Sequence, residues 1–359
     1  MKKNLLKWLL PAVLLMQACS KDDTGPSTPV TPAATGLFVL SEGNYGLNNT
    51  KLGFYNLSTA AYSADYFVQQ NPTQTGLGDT GNDAIIYGGK MYIVMNVTSQ
   101  VVVLNAQTGA FLARINFGTA PNFKNPRYAT AVNGKVYVTA YDNTVNIVDT
   151  TALSITGSIA VGANPEGIAV SGNNLYIANS GAYNYPDFDS TVSVVSLSTG
   201  AEIKKIKVGL NPNKVEVASN GDVYVSSYGN FGSIPANISV INASTNELKA
   251  TLGTGFAYSH VRISGNIAYF YNNYGGVGTA KVYNTTTGAV IRNEFITDGT
   301  AITTPYGINV DAQNGDVYIT DAKDYTSAGA VTCFSSAGVK KFSFTTTSGI
   351  SPNKVLFKR

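Results

Sequence analysis

Asn164 to Gly209 reads NPEGIAVSGNNLYIANSGAYNYPDFDSTVSVVSLSTGAEIKKIKVG. Four short apolar runs stand out: GIAV, LYIAN, TVSVVSL and EIKKIKV. Turn residues separate them: SGNN, then a long polar and aromatic loop, then STG. Apolar and polar residues alternate within the runs, as in Thr191, Val192, Ser193, Val194 and in Lys205, Ile206, Lys207, Val208. Period two with β-branched residues and Gly/Asn turns predicts a four-stranded antiparallel meander.

The unit recurs. A Tyr inside the second run returns as Tyr92, Tyr137, Tyr176, Tyr224, Tyr269 and Tyr318, with gaps of 45, 39, 48, 45 and 49 residues. The third and fourth runs return as VVVLNAQTGAFLARINF, VNIVDTTALSITGSIAVG, ISVINASTNELKATLG and AKVYNTTTGAVIRNEF. Four strands every 40 to 50 residues mark the blades of a β-propeller. A seventh unit begins at Gly36 with LFVLSEG, TKLGFYNLS and a weaker AAYSADYF, and it lacks a first run. SPNKVLF (Ser351 to Phe357) supplies that run, matching NPNKVEV (Asn211 to Val217) almost residue for residue. The expected fold is therefore all-β: a seven-bladed propeller over residues 36–359, with the C-terminal strand closing the first blade and leaving no open sheet edge.

The units carrying NPEGIAV, LYIAN, VSVVSLSTG and KIKVG resemble the YVTN or YncE-type repeats of bacterial seven-bladed propellers, from about Gly36 to Arg359. That resemblance implies the fold. It says little about activity, because propellers host many unrelated ones.

Residues 1–18 read as a signal peptide: Lys2, Lys3 and Lys7, then an apolar run from Leu5 to Met16 interrupted by Pro11, too short to span a bilayer. Ala18-Cys19 resembles a lipobox, so Cys19 is the expected lipidation site. Ser20-Lys21-Asp22-Asp23 resembles the surface-export signal of Bacteroidota lipoproteins. The expected location is the outer membrane, lipid-anchored and facing the medium, with lipid alone touching the membrane. Residues 19–35 carry the lipidated Cys and a Pro/Thr-rich linker.

The chain has 24 basic and 21 acidic residues; without Lys2, Lys3 and Lys7 the balance is 21 to 21. A near-neutral body gives no electrostatic case for nucleic acid. Of the two cysteines, Cys19 is expected to carry lipid, which leaves Cys333 alone; Cys333 lies in a strand run and is expected as a small buried apolar residue.

In such meanders the turns joining first to second and third to fourth strands share one face; here they are minimal. The other face carries the long loops: EGNYGLNNT, NSGAYNYPDFDS, SYGNFGSIPAN, NNYGGVG and DAKDYTSAG, with the blade links TAPNFKNPRY and TGFAYSH. Aromatics interleaved with Asn and Gly concentrate there, and loops on a rigid scaffold are where binding residues gather. Aligning the blade links by their Pro gives two sets. Two residues on stand Asp83, Tyr128, Gly167, Lys214, His260, Gly307 and Lys354; one residue on stand Asn82, Arg127, Glu166, Asn213, Ser259, Tyr306 and Asn353. Both are expected to ring the channel mouth. The candidate ligand-binding set is Tyr45, Arg127, Tyr128, Glu166, Tyr183, Tyr185, Phe188, Lys214, Tyr228, Phe231, Tyr258, His260, Tyr274, Tyr306 and Tyr325.

No catalytic set emerges. The single His, His260, has no Ser or Cys nucleophile motif beside it, and a histidine metal site ordinarily needs at least two. Asp187, Asp189 and Asn184 share a loop without an EF-hand pattern. No metal or cofactor is expected. Three readings stay open: a non-catalytic surface protein binding a small polar molecule, a hydrolase or lyase working at the channel mouth, and an adhesion or glycan-binding protein. The lipoprotein start, the blades and the aromatic face resemble those of surface propellers of the BtuG type, which capture cobalamin-like corrinoids and pass them to a TonB-dependent transporter. The resemblance implies that ligand and that partner.

Overall fold

The computed structural model describes residues 32–273 and 280–359. The expected signal peptide, the expected lipidation site Cys19, most of the linker and the candidate residue Tyr274 lie outside the described residues. Ala33–Arg359 forms one compact unit.

The described residues build seven four-stranded antiparallel sheets, each a meander except the one that joins the chain ends. Six innermost strands follow in order, as blades 1 to 6: Gly81–Tyr87, Pro126–Val132, Pro165–Ser171, Pro212–Val217, His260–Ser264 and Pro305–Val310. The innermost strand of blade 7 is Pro352–Lys358, which pairs antiparallel with Gly36–Ser41 from Gly36↔Lys358 onward. The ring is thus closed by the two ends of the chain, as SPNKVLF predicts. Among the described residues no helix is long and apolar enough to cross a membrane.

The recurring Tyr is a plug between blades. All six copies are buried. Tyr92 packs with Val136 and Val138 of the next blade, Tyr176 with Val223 and Val225, and Tyr318 with Leu37 and Val355 across the closure. Burying such a ring contributes about 2–3 kcal/mol. Cys333 lies in that last cluster as a free buried thiol, and burial raises its pKa to about 11.

AAYSADYF departs from a fourth strand. It gives only the two-residue strand Tyr62–Ser63, then a short helix, Tyr66–Gln70. The helix wins because it drives Phe67 wholly into the core between blades 7 and 1. Tyr66 meanwhile packs, tilted, against Phe38 and Phe54 at 5.7 and 5.0 Å between ring centroids.

Blades approach closely at the channel. A Cβ on Gly167 would stand 2.6 Å from Asn213 O and 2.8 Å from Val215 N; on Gly307 it would stand 2.3 Å from Asn353 O. These two glycines leave room for the neighbouring backbone. Gly167→Ala is expected to cost about 2 kcal/mol, read by denaturant unfolding, because backbone cannot yield as a side chain can.

Candidate functional site

In six of the seven blades the pairing of the innermost strand shifts register just after its first residue. In four of them the bulge falls on the residue one past the Pro or its equivalent, Asn82, Asn213, Tyr306 and Asn353; in the other two it lies within Arg127–Tyr128 and Glu166–Gly167. A bulge re-aims its side chain, and here it turns them sideways into the next blade. Asn82 donates to Arg127 O at 2.5 Å, Asn213 to Ser259 O at 3.0 Å, and Asn353 to Gly81 O at 2.8 Å. Arg127 reaches Glu166 of the following blade at 3.0 Å. This set clips the ring together. The residues two past the Pro, all seven, line the channel.

The channel opens on the long-loop face as a cavity of about 570 Å³. Its upper wall includes Glu42, Arg127, Tyr128, Lys214, Tyr228, His260, Tyr271 and Tyr306. Lys214 donates to the Tyr128 hydroxyl at 2.5 Å and stands 3.9 Å from that ring's centroid. The Tyr306 hydroxyl donates to Glu42 at 2.5 Å. Burial raises the Glu42 pKa and lowers that of Lys214. His260 is 4% exposed. Its Nδ1 faces Ser259 Oγ at 2.9 Å and its Nε2 the Tyr228 hydroxyl at 3.4 Å. Burial, then the Lys214 charge, pushes the His260 pKa well below the ordinary range.

An aromatic path descends into this cavity. Tyr185, 73% exposed, meets Phe188 at 5.7 Å; Phe188 meets Phe231 at 6.0 Å; Phe231 meets Tyr228 at 5.5 Å. Tyr228 meets His260 at 5.6 Å, and His260 meets Tyr271 at 5.1 Å. The path joins the long loops of blades 3 and 4 to the wall of blade 5. Tyr183 stands on the same rim, edge-on to Tyr141 at 4.9 Å.

Other expected residues fall elsewhere. Tyr258 packs beneath its loop, stacked on Phe270 at 6.3 Å, within a hydrophobic cluster and away from the channel wall. Glu166 sits behind the wall, where it holds Arg127 and accepts the Tyr141 hydroxyl. Tyr325 backs the wall, edge-on to Tyr306 at 5.7 Å, its hydroxyl donating to Asn273 O at 3.0 Å. Tyr45, 83% exposed, stands on its loop outside the cavity. Asp189 is consumed within its own loop, accepting from Ser190 N and Thr191 Oγ1. Among the described residues no three His, Cys, Asp or Glu side chains cluster as a metal site would require.

Glu42, Tyr141, Glu216, Tyr271 and Arg262 were not in the expected set. Two of them had a signal: Glu216 and Arg262 follow Lys214 and His260 by two residues, so period two carries them onto the same inner wall.

The fold and this channel define a seven-bladed propeller with a polar cavity and an aromatic rim on its long-loop face. The chain belongs to the DUF5074 family, described as a domain of unknown function, which matches residues 35–355. No curated protein matches. Among solved structures, a quinoprotein alcohol dehydrogenase-like protein from Bacteroides thetaiotaomicron is similar, with 15% identity, TM-score 0.66, and 91% of this chain and 79% of that one covered. The dihydro-heme d1 dehydrogenase NirN has 12% identity and TM-score 0.55, with 93% and 78% covered. Kuenenia stuttgartiensis hydrazine synthase has 18% identity and TM-score 0.55, with 68% and 73% covered. At these identities the likeness concerns the fold.

Proposed function

We propose that the chain is a non-catalytic surface lipoprotein, anchored through Cys19 in the outer membrane, that captures a ring-bearing polar molecule at the channel mouth. The observation that carries this reading is the aromatic path from Tyr185 to Tyr271, which leads from solvent into the cavity. Tyr and Phe faces give flat apolar contact at low entropy cost, and Tyr hydroxyls and Asn give hydrogen bonds. A planar macrocycle edged with amides uses both. Corrinoids have that chemistry, and the resemblance to corrinoid-capturing propellers puts cobalamin first, with handover to a TonB-dependent transporter. A cavity of about 570 Å³ admits one arm of such a molecule while its ring lies on the rim.

Calorimetric titration with cobalamin and cobinamide is expected to show saturable binding. Phe231→Ala is expected to weaken it about 10-fold, the scale of one lost aromatic contact with its burial. Binding of a glycan panel in place of corrinoids would move the assignment to adhesion or sugar uptake. Silence with both would overturn capture.

A further inference from the structure

The second tier of the channel holds an ion pair, Glu216 with Arg262. Each stands two residues past a mouth residue, Lys214 and His260, and so about 7 Å further in along its strand. Both line the cavity, and their side chains keep 23% and 32% of their surface accessible. The contact between them is single: Arg262 Nη1 donates to Glu216 Oε1 at 3.0 Å. Among the described residues Glu216 Oε2 accepts no hydrogen bond and Arg262 Nη2 donates none, and neither atom is enclosed. A fork-to-fork pair would use both. The pair therefore shows the channel an open acceptor and an open donor on two groups already bonded to each other. Ile85, Thr130 and Ala169 hold the equivalent positions on blades 1 to 3, so the wall across from the pair is largely apolar. Charge around the pair is balanced. Arg127 is held by Glu166 and Lys354 by Asp83, while Lys214 and Glu42 stand against Tyr128 and Tyr306. A charged group brought in here loses its water and gains no net counter-charge.

We propose that the Glu216–Arg262 pair is a carboxamide seat, which receives one primary amide carried by the captured molecule, the amide N–H donating to Glu216 Oε2 and its carbonyl accepting from Arg262 Nη2. An amide presents a donor and an acceptor in one plane, as the pair does. A carboxylate would meet Glu216 with like charge, and an ammonium would meet Arg262 so. The ion pair need not open, and the apolar far wall takes the stem of the arm. The inference rests on the capture reading for the rest of the ligand. It concerns the second tier alone.

The probes are cobinamide, whose ring carries primary amides, and cobyrinic acid, in which carboxylates stand in their place. Both are titrated calorimetrically against wild type, Glu216→Gln and, as rim control, Phe231→Ala. Wild type is expected to prefer cobinamide. Glu216→Gln keeps the shape, gives up the charged acceptor and leaves Arg262 facing the channel without its counter-charge. The preference is therefore expected to fall about 10-fold, the scale of one hydrogen bond to a charged group. Phe231→Ala is expected to weaken both ligands alike and leave the preference as it is. An unchanged preference in Glu216→Gln would overturn the seat and leave capture standing. Should Glu216→Gln fail to fold, or neither corrinoid bind, saturation-transfer NMR of wild type with propionamide and with propionate decides. A signal from propionamide that propionate lacks supports the seat; equal or absent signals refute it. A propionamide signal without corrinoid binding keeps the seat and removes the corrinoid.

Discussion

A chain that ends at Ser351 is expected to lose its cooperative fold rather than a single blade. The missing strand, Pro352–Lys358, is the hydrogen-bonded neighbour of Gly36–Ser41, in which all six residues are buried. It supplies Val355 to the cluster around Leu37 and Tyr318. Its Lys354 neutralises Asp83 in blade 1, and its Asn353 clips to Gly81. Removal therefore opens a sheet edge, strips a hydrophobic seam and leaves a buried carboxylate without its cation. These losses together approach the whole stability of an ordinary domain, about 5–15 kcal/mol. Thermal melting by circular dichroism with light scattering should show aggregation and no single sharp transition. A cooperative melt within a few degrees of the full-length chain would show that the ring does not depend on its closure.

Glu166→Ala is the point substitution with the largest expected cost, about 3 kcal/mol. Glu166 accepts from Arg127 and from the Tyr141 hydroxyl, and its side chain is almost wholly enclosed. Truncating it leaves a guanidinium over two tyrosine rings, 4.9 Å from Tyr141 and 5.8 Å from Tyr128, with no counter-charge. Breaking one side of a buried pair costs about 3–5 kcal/mol, whereas replacing both sides with apolar groups costs far less. Arg127→Met with Glu166→Leu should therefore recover most of the loss. Denaturant unfolding distinguishes the two: a loss below about 1 kcal/mol for Glu166→Ala would mean that water already solvates the pair.

The blades were legible because their signals are periodic. Tyr92 to Tyr318 repeat at blade spacing because each fills the same gap between sheets, and SPNKVLF repeats NPNKVEV because both are innermost strands. Asp65 to Gln70 was not legible as a helix: one turn is too short to show a period, and Phe67 is held there by tertiary packing. The two channel-mouth sets aligned correctly by Pro, yet their roles divided. A bulge that the sequence does not announce turns Asn82, Asn213 and Asn353 into the next blade and leaves Asp83, Lys214 and Lys354 on the wall. Loop aromatics gave less. Tyr228 faces the channel and Tyr258 packs under its loop, and nothing periodic in SYGNFG or TGFAYSH separates them.

Hydrogen exchange of the protein with and without cobinamide tests the central claim most directly, because it reports both binding and place. Capture at the channel mouth predicts slowed exchange in residues 180–190 and 227–236, the loops of Tyr183, Tyr185, Phe188, Tyr228 and Phe231, with the short-turn face unchanged. Protection on the short-turn face, or none at a saturating concentration, would contradict it.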